Sequence, residues 1–85
     1  MNNNIDNLKK RLIYRSLYRG TKEMDKLIGS FVRDYINKLD ENDLKDLEIF
    51  LNYDDDTLYK LYKKELDSST LNKTKIINLF INYVL

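Results

Sequence analysis

The chain has 85 residues, 42% hydrophobic and 34% charged, a composition that describes a small folded domain rather than a disordered segment. It contains no Cys and no His, which excludes disulfides, thiolate chemistry, the usual general base and the commonest metal ligand together. The net charge is +1 but unevenly spread: Lys9, Lys10, Arg11, Arg15, Arg19 and Lys22 crowd the first quarter, while Asp40, Glu41, Asp43, Asp46, Glu48 and Asp54 to Asp56 dominate the middle. A basic first helix and an acidic third helix can attract each other within the fold, or one of them can serve as a charged docking face.

Residues 1–85 read as one domain, with Met1-Asn2-Asn3-Asn4 as a disordered N-terminal tail. That tail is polar and uncharged, unlike a secretory signal or an Arg-rich transit peptide, and a bacterial cytoplasmic location is the resulting expectation. Helical spacing of apolar residues then begins. The first helix is expected from about Ile5 to Tyr18, with Leu8, Leu12, Ile13 and Leu17 facing inward. Gly20 ends it or caps the next. A second helix from about Thr21 to Leu39 carries Met24, Leu27, Ile28, Phe31, Tyr35, Ile36 and Leu39 as a wide apolar stripe.

Asp40 has the character of an N-cap, with Asp43 in the first turn where the helix dipole favours a carboxylate. The third helix then presents Leu44, Leu47, Phe50 and Leu51, and stops near Asn52. Asp54-Asp55-Asp56 opens a short fourth helix marked by Leu58, Leu61, Tyr62 and Leu66. Ser68-Ser69-Thr70 is a linker and cap, and a fifth helix runs from about Leu71 to Tyr83, with Ile76, Ile77, Phe80, Ile81 and Val84 available for burial. No run alternates cleanly enough for a strand. The expected fold is all-α, about five short helices in a helical array. The apolar stretch Ile76 to Leu85 is interrupted by Asn78 and Asn82 and is too short to span a bilayer.

Taken locally, the candidate motifs have structural explanations. With Gly20 as N-cap, Glu23 falls at N3, where it satisfies a free amide, and Arg19 is an ordinary surface residue. Asp54-Asp55-Asp56 reads as capping, because three consecutive residues cannot all face one ion. The tyrosines, Tyr35, Tyr59 and Tyr62 among them, read as core-edge packing with the hydroxyl wet. Neither a phosphate-binding loop nor a nucleophile–base pair is present, so no metal, cofactor-binding or catalytic residue is assigned.

The longer string is more specific. Arg11-Leu12-Ile13-Tyr14-Arg15-Ser16-Leu17-Tyr18-Arg19-Gly20-Thr21-Lys22-Glu23-Met24-Asp25, then Leu27-Ile28-Gly29 and Phe31, resembles the signature of the SdhE family of FAD assembly factors, whose mitochondrial members are called succinate dehydrogenase assembly factor 2. The family hallmark is Arg-Gly-x-x-Glu, here Arg19, Gly20 and Glu23, followed by a hydrophobic residue and an Asp, here Met24 and Asp25. Leu51-Asn52-Tyr53-Asp54-Asp55-Asp56-Thr57-Leu58-Tyr59 resembles the acidic turn that opens the family's fourth helix. Three positions depart from the pattern: Tyr18 stands where a second Arg is common, Asp56 where the turn holds a Pro, and Leu61 where the fourth helix carries a Trp.

The resemblance implies a helical chaperone that is not itself an enzyme. Its partner would be the succinate dehydrogenase flavoprotein subunit, with the related fumarate reductase flavoprotein as a further client. In that family FAD belongs to the client, where its covalent attachment to a histidine is largely self-catalysed, and the factor contributes positioning. The implied partner-binding residues are Arg15, Arg19, Gly20, Glu23 and Asp25. Arg19 would donate to flavoprotein acceptors, Glu23 would accept from donors near the maturing site, and Gly20 would let the two backbones approach. The alternative from a different class is a small nucleic-acid-binding or regulatory module using the basic first helix, although the near-zero net charge argues against it.

Overall fold

The computed structural model describes residues 3–66 and 74–85. Among them are the helices α1 (Asn3–Leu17), α2 (Lys22–Tyr35), α3 (Glu41–Leu51), α4 (Asp55–Tyr62) and α5 (Lys75–Ile81), with a 3-10 turn, Ile36–Lys38, closing α2. The expected Ser68-Ser69-Thr70 linker and the expected start at Leu71 lie outside the described residues. No strand occurs among those described, in keeping with the all-α expectation.

Helix boundaries follow from side-chain caps, in a chain that has no Pro. Thr21, Asp40, Asp54 and Thr74 each accept a hydrogen bond from the backbone three residues on, satisfying one of the orphan amides at a helix start. At Asp40 the arrangement is a full capping box, with Asp43 reaching back to the Asp40 amide. α1 starts at Asn3, so Asn3 and Asn4 belong to its first turn instead of a disordered tail, with Asp6 close to the positive end of the dipole. The α-helical part of α2 stops at Tyr35, four residues short of the expected Leu39. Leu39 is nonetheless buried, delivered by the 3-10 turn.

Packing explains the order of the helices. Phe31 of α2, Phe50 of α3 and Phe80 of α5 meet at ring-centroid separations of 5.6, 5.2 and 4.9 Å, one ring from each helix. All three are essentially excluded from solvent. Such edge-on and tilted contacts add favourable quadrupole interactions to the apolar burial. α1 lies across α2 and α3, fully burying Leu12, while Leu8, Ile13 and Leu17 are half-buried.

Gly29 sets how closely α1 can lie on α2. A β-carbon there would meet Leu17 Cδ2 at 3.1 Å and the Ser16 carbonyl at 3.6 Å. Ser16, buried beside this crossing, returns its hydroxyl to the Ile13 carbonyl at 2.6 Å. A buried hydroxyl needs such a partner, and a small residue is what the crossing admits. At the opposite end, Val84 lies beyond α5 and is 85% exposed, so the expectation of its burial is overturned.

Tyr83 packs against Phe31 and donates its hydroxyl to Asp34 Oδ2 at 2.6 Å. Burial, then the Asp34 carboxylate, push its pKa from 10.0 up to about 12. A folded-state pKa raised above the unfolded one contributes stability that is whole below pH 10 and is lost as pH rises through about 12. Tyr83→Phe should therefore show a shallower fall in urea midpoint between pH 10 and 12 than the parent chain, and identical slopes would refute the contribution.

Candidate functional site: a clamped joint between two helices

The joint between α1 and α2 is built from Tyr18 to Thr21. Gly20 adopts φ +125°, a conformation that side chains with a β-carbon rarely enter. Thr21 Oγ1 accepts from the Met24 amide at 3.1 Å and so begins α2. The N-cap is therefore Thr21, not Gly20, and Glu23 sits at the second helical position without the expected Gly20–Glu23 capping relation. Glu23 is exposed in that first turn, and among the described residues its carboxylate accepts no hydrogen bond. It stands beside the free amides at the start of α2, the positive end of that helix's dipole.

Arg19 behaves unlike the surface residue of the local reading. Its backbone amide donates to Asp25 Oδ1, so the first turn of α2 folds back onto the joint. Its guanidinium crosses to the segment linking α3 and α4. There Nε donates to Asp55 Oδ1 at 2.9 Å, Nη1 to the Leu51 carbonyl at 2.7 Å and Nη2 to the Tyr53 carbonyl at 2.6 Å. The Arg19 side chain is only 10% exposed, and that of Asp55 27%.

The location has an electrostatic logic. The carbonyls near the end of α3 carry the negative end of that helix's dipole and lack intrahelical donors, while Asp55 stands at the start of α4. A planar cation with forked donors satisfies both at once, which a Lys ammonium does less well. The three consecutive carboxylates have three separate tasks. Asp54 caps α4, and hydrogen bonds from Thr57, side chain before backbone, hold its pKa below the ordinary 3.8. Asp55 pairs with Arg19, and Asp56 with Lys60 one helical turn on at 3.1 Å.

Arg19 is also the last rung of a ladder. Arg11 reaches Glu48 at 3.3 Å and Arg15 reaches Asn52 Oδ1 at 2.6 Å. Arginines four residues apart, two on α1 and one just beyond it, thus meet positions 48, 52 and 55 in matching order. Sequence reasoning anticipated attraction between α1 and α3 but missed this register, although the spacing of four between Arg11, Arg15 and Arg19 was its signal. Tyr14 of α1 and Tyr18 just beyond it are 65% and 67% exposed, with ring centroids 4.8 Å apart. These two do not share the core-edge packing of Tyr35, Tyr59 and Tyr62.

The partner-binding set thus divides. Arg19, Gly20 and Asp25 are joined at one point, Arg15 contacts Asn52 on the neighbouring rung, and Glu23 remains displayed. A β-carbon on Gly20 would lie 3.6 Å from Asp55 Oδ2, an ordinary contact, so space is not what demands glycine. The positive φ is. Gly20→Ala should cost about 1–3 kcal/mol of stability through that strain, read from urea midpoints, and an unchanged midpoint would refute it.

The model of the family described as "Flavinator of succinate dehydrogenase" matches residues 10–84. The chain belongs to this family. Among its relatives is the mitochondrial succinate dehydrogenase assembly factor 2 of Dictyostelium discoideum, 33% identical over 75 residues that cover 88% of this chain and 53% of the relative. The protein of that name from Arabidopsis thaliana is 42% identical over 50 residues, 59% of this chain and 27% of the relative. That of Saccharomyces cerevisiae is 34% identical over 70 residues, 82% and 43% respectively. The chain spans about half the length, or less, of the curated relatives it matches. No solved structure matches it.

The family relationship corrects the expected location. The relatives named here are mitochondrial proteins of eukaryotes, which overturns the bacterial cytoplasmic assignment. That assignment leaned on residues 1–4, which lie outside the region shared with the family and carry no information about it. Within the family's pattern, the departures at 56 and 61 have simple accommodations here: Asp56 pairs with Lys60, and Leu61 is buried. Tyr18 replaces a commonly basic residue with an exposed ring tilted against that of Tyr14.

Proposed function

We propose that this chain binds the flavoprotein subunit of succinate dehydrogenase and promotes covalent attachment of that subunit's FAD. The observation that carries the reading is the family match over residues 10–84, which includes the entire clamped joint. The chain acts by positioning. It has neither His nor Cys to offer as base or nucleophile, so the bond-forming chemistry belongs to the flavin and the client, and the chain is not an enzyme. It holds no FAD of its own; the flavin stays with the client throughout. The related fumarate reductase flavoprotein is a second client under this reading.

The arrangement at the joint supports it. A docking surface costs less to immobilise when its residues are already held. Here Arg19 is fastened, Thr21 caps α2, and Glu23 is exposed in the first turn of that helix. The nucleic-acid alternative gains nothing from the geometry, since Arg11, Arg15 and Arg19 all turn toward partners within the chain.

The test is to express the succinate dehydrogenase flavoprotein with and without this chain, denature it, and measure flavin fluorescence that stays with the polypeptide. The expected result is a clear rise when the chain is present. Equal fluorescence in the two samples would refute the reading. Binding of generic DNA with a steep salt dependence would support the alternative instead.

A further inference from the structure

We infer that Asp55, which lies outside the Arg-Gly-x-x-Glu hallmark, is the positioning residue of the joint, and that Arg19 serves as a fastener within the chain rather than as a contact to the client. The inference rests on the functional reading above. Asp55 faces the joint with both carboxylate oxygens: Oδ1 accepts from Arg19 Nε at 2.9 Å, and Oδ2 lies 3.6 Å from where a β-carbon on Gly20 would be. Its sequence neighbours cannot replace it, because Asp54 is engaged as the α4 cap and Asp56 faces Lys60 on the exposed side.

The connection continues to the displayed residue. Asp55 holds the Arg19 side chain, the Arg19 amide is held by Asp25, and Asp25 lies two positions beyond Glu23 in the same helical turn. The start of α4 is thereby tied through Arg19 to the start of α2. Were Arg19 to swing out to a client, Asp55 and the carbonyls of Leu51 and Tyr53 would be left without this donor at a largely solvent-shielded place. Poorly solvated acceptors resist that exchange, and an Arg fork engaged on three acceptors is already in its preferred use. What a client meets is therefore the shape of the joint and Glu23, with the guanidinium behind them.

The experiment titrates purified flavoprotein and FAD with the chain and records both the plateau of attached flavin and the chain concentration at half-plateau. Asp55→Ala should keep the plateau and the helix content while raising the half-plateau concentration about tenfold, the size expected from mobilising a pre-ordered docking element. Asp55→Asn, which keeps an acceptor for Arg19 Nε, should recover most of that loss, and Asp56→Ala should match the parent. A parent-like Asp55→Ala, or an equal loss in Asp56→Ala, overturns the inference. Failure of the parent chain itself to raise flavin attachment overturns the functional reading and the inference with it.

A second measurement does not depend on any variant folding. Phenylglyoxal labelling of the parent chain, read by peptide mass, should modify exposed Arg33 well before Arg19, both alone and with the flavoprotein bound. Arg19 reacting as fast as Arg33 in the free chain overturns the inference.

Discussion

Arg19→Ala should destabilise this chain by about 3–5 kcal/mol, the cost of removing one partner from a largely buried, hydrogen-bonded ion pair. The loss has identifiable parts. Asp55, 27% exposed, loses its cation, and the Leu51 and Tyr53 carbonyls lose donors at 2.7 and 2.6 Å. A domain of this length has roughly 4–13 kcal/mol to lose, so a large share of its stability depends on one side chain. Arg19→Lys should recover only part of it, because an ammonium cannot present parallel donors to all three acceptors. Urea denaturation followed by far-ultraviolet circular dichroism measures both variants. A loss under about 1 kcal/mol for Arg19→Ala, the size of an exposed pair, would show that the clamp is not formed in solution.

Glu23→Ala should give the opposite profile. The side chain is exposed in the first turn of α2, and its removal should change stability by no more than about 1 kcal/mol, the scale of a helix-dipole interaction. Affinity for the flavoprotein should fall by about 2–5 kcal/mol, as for a charged group buried against a partner's donors, which is roughly 30-fold or more in Kd. Isothermal titration with purified flavoprotein gives the affinity, and thermal melting of the free chain gives the stability. Full binding and full flavin attachment by a well-folded Glu23→Ala chain would remove this residue from the docking surface. These two outcomes together would separate the hallmark by physical role, with Arg19 maintaining the fold and Glu23 meeting the proposed client.

Much of this architecture is legible in the amino-acid sequence because it rests on local rules. The caps at Asp40 and Asp54 are readable from an acidic side chain directly before an apolar-periodic run, and the stripe on α2 from its spacing alone. The α1–α2 joint was only partly readable. A glycine there marks a break between helices, and φ +125° uses its conformational freedom, but it does not reveal whether Gly20 or the Thr beside it starts the helix. Thr21 wins because its hydroxyl can accept from the Met24 amide, which glycine has no side chain to do.

The fate of Arg19 was hidden for a different reason. Its side-chain partners lie 32 to 36 residues away, and no periodicity within one helix reports a contact between two. The resemblance marked Arg19 as important, and the physical source of its importance appears only once α3 and α4 are placed beside α1. Ser16 was missed likewise, since a lone hydroxyl on an apolar face gives no hint that Gly29 of the next helix faces it.

Two of the three groups that hold the Arg19 guanidinium are main-chain carbonyls, which every residue type supplies identically. Positions 51 and 53 can therefore exchange side chains, within the demands of packing, and still offer the same oxygens to the same arginine. A search for residue pairs that vary together would find Asp55 at most and would miss the rest of the socket. The arginine would look solitary in any such comparison, and be taken for a residue waiting for a partner, while its partners are written in the course of the backbone.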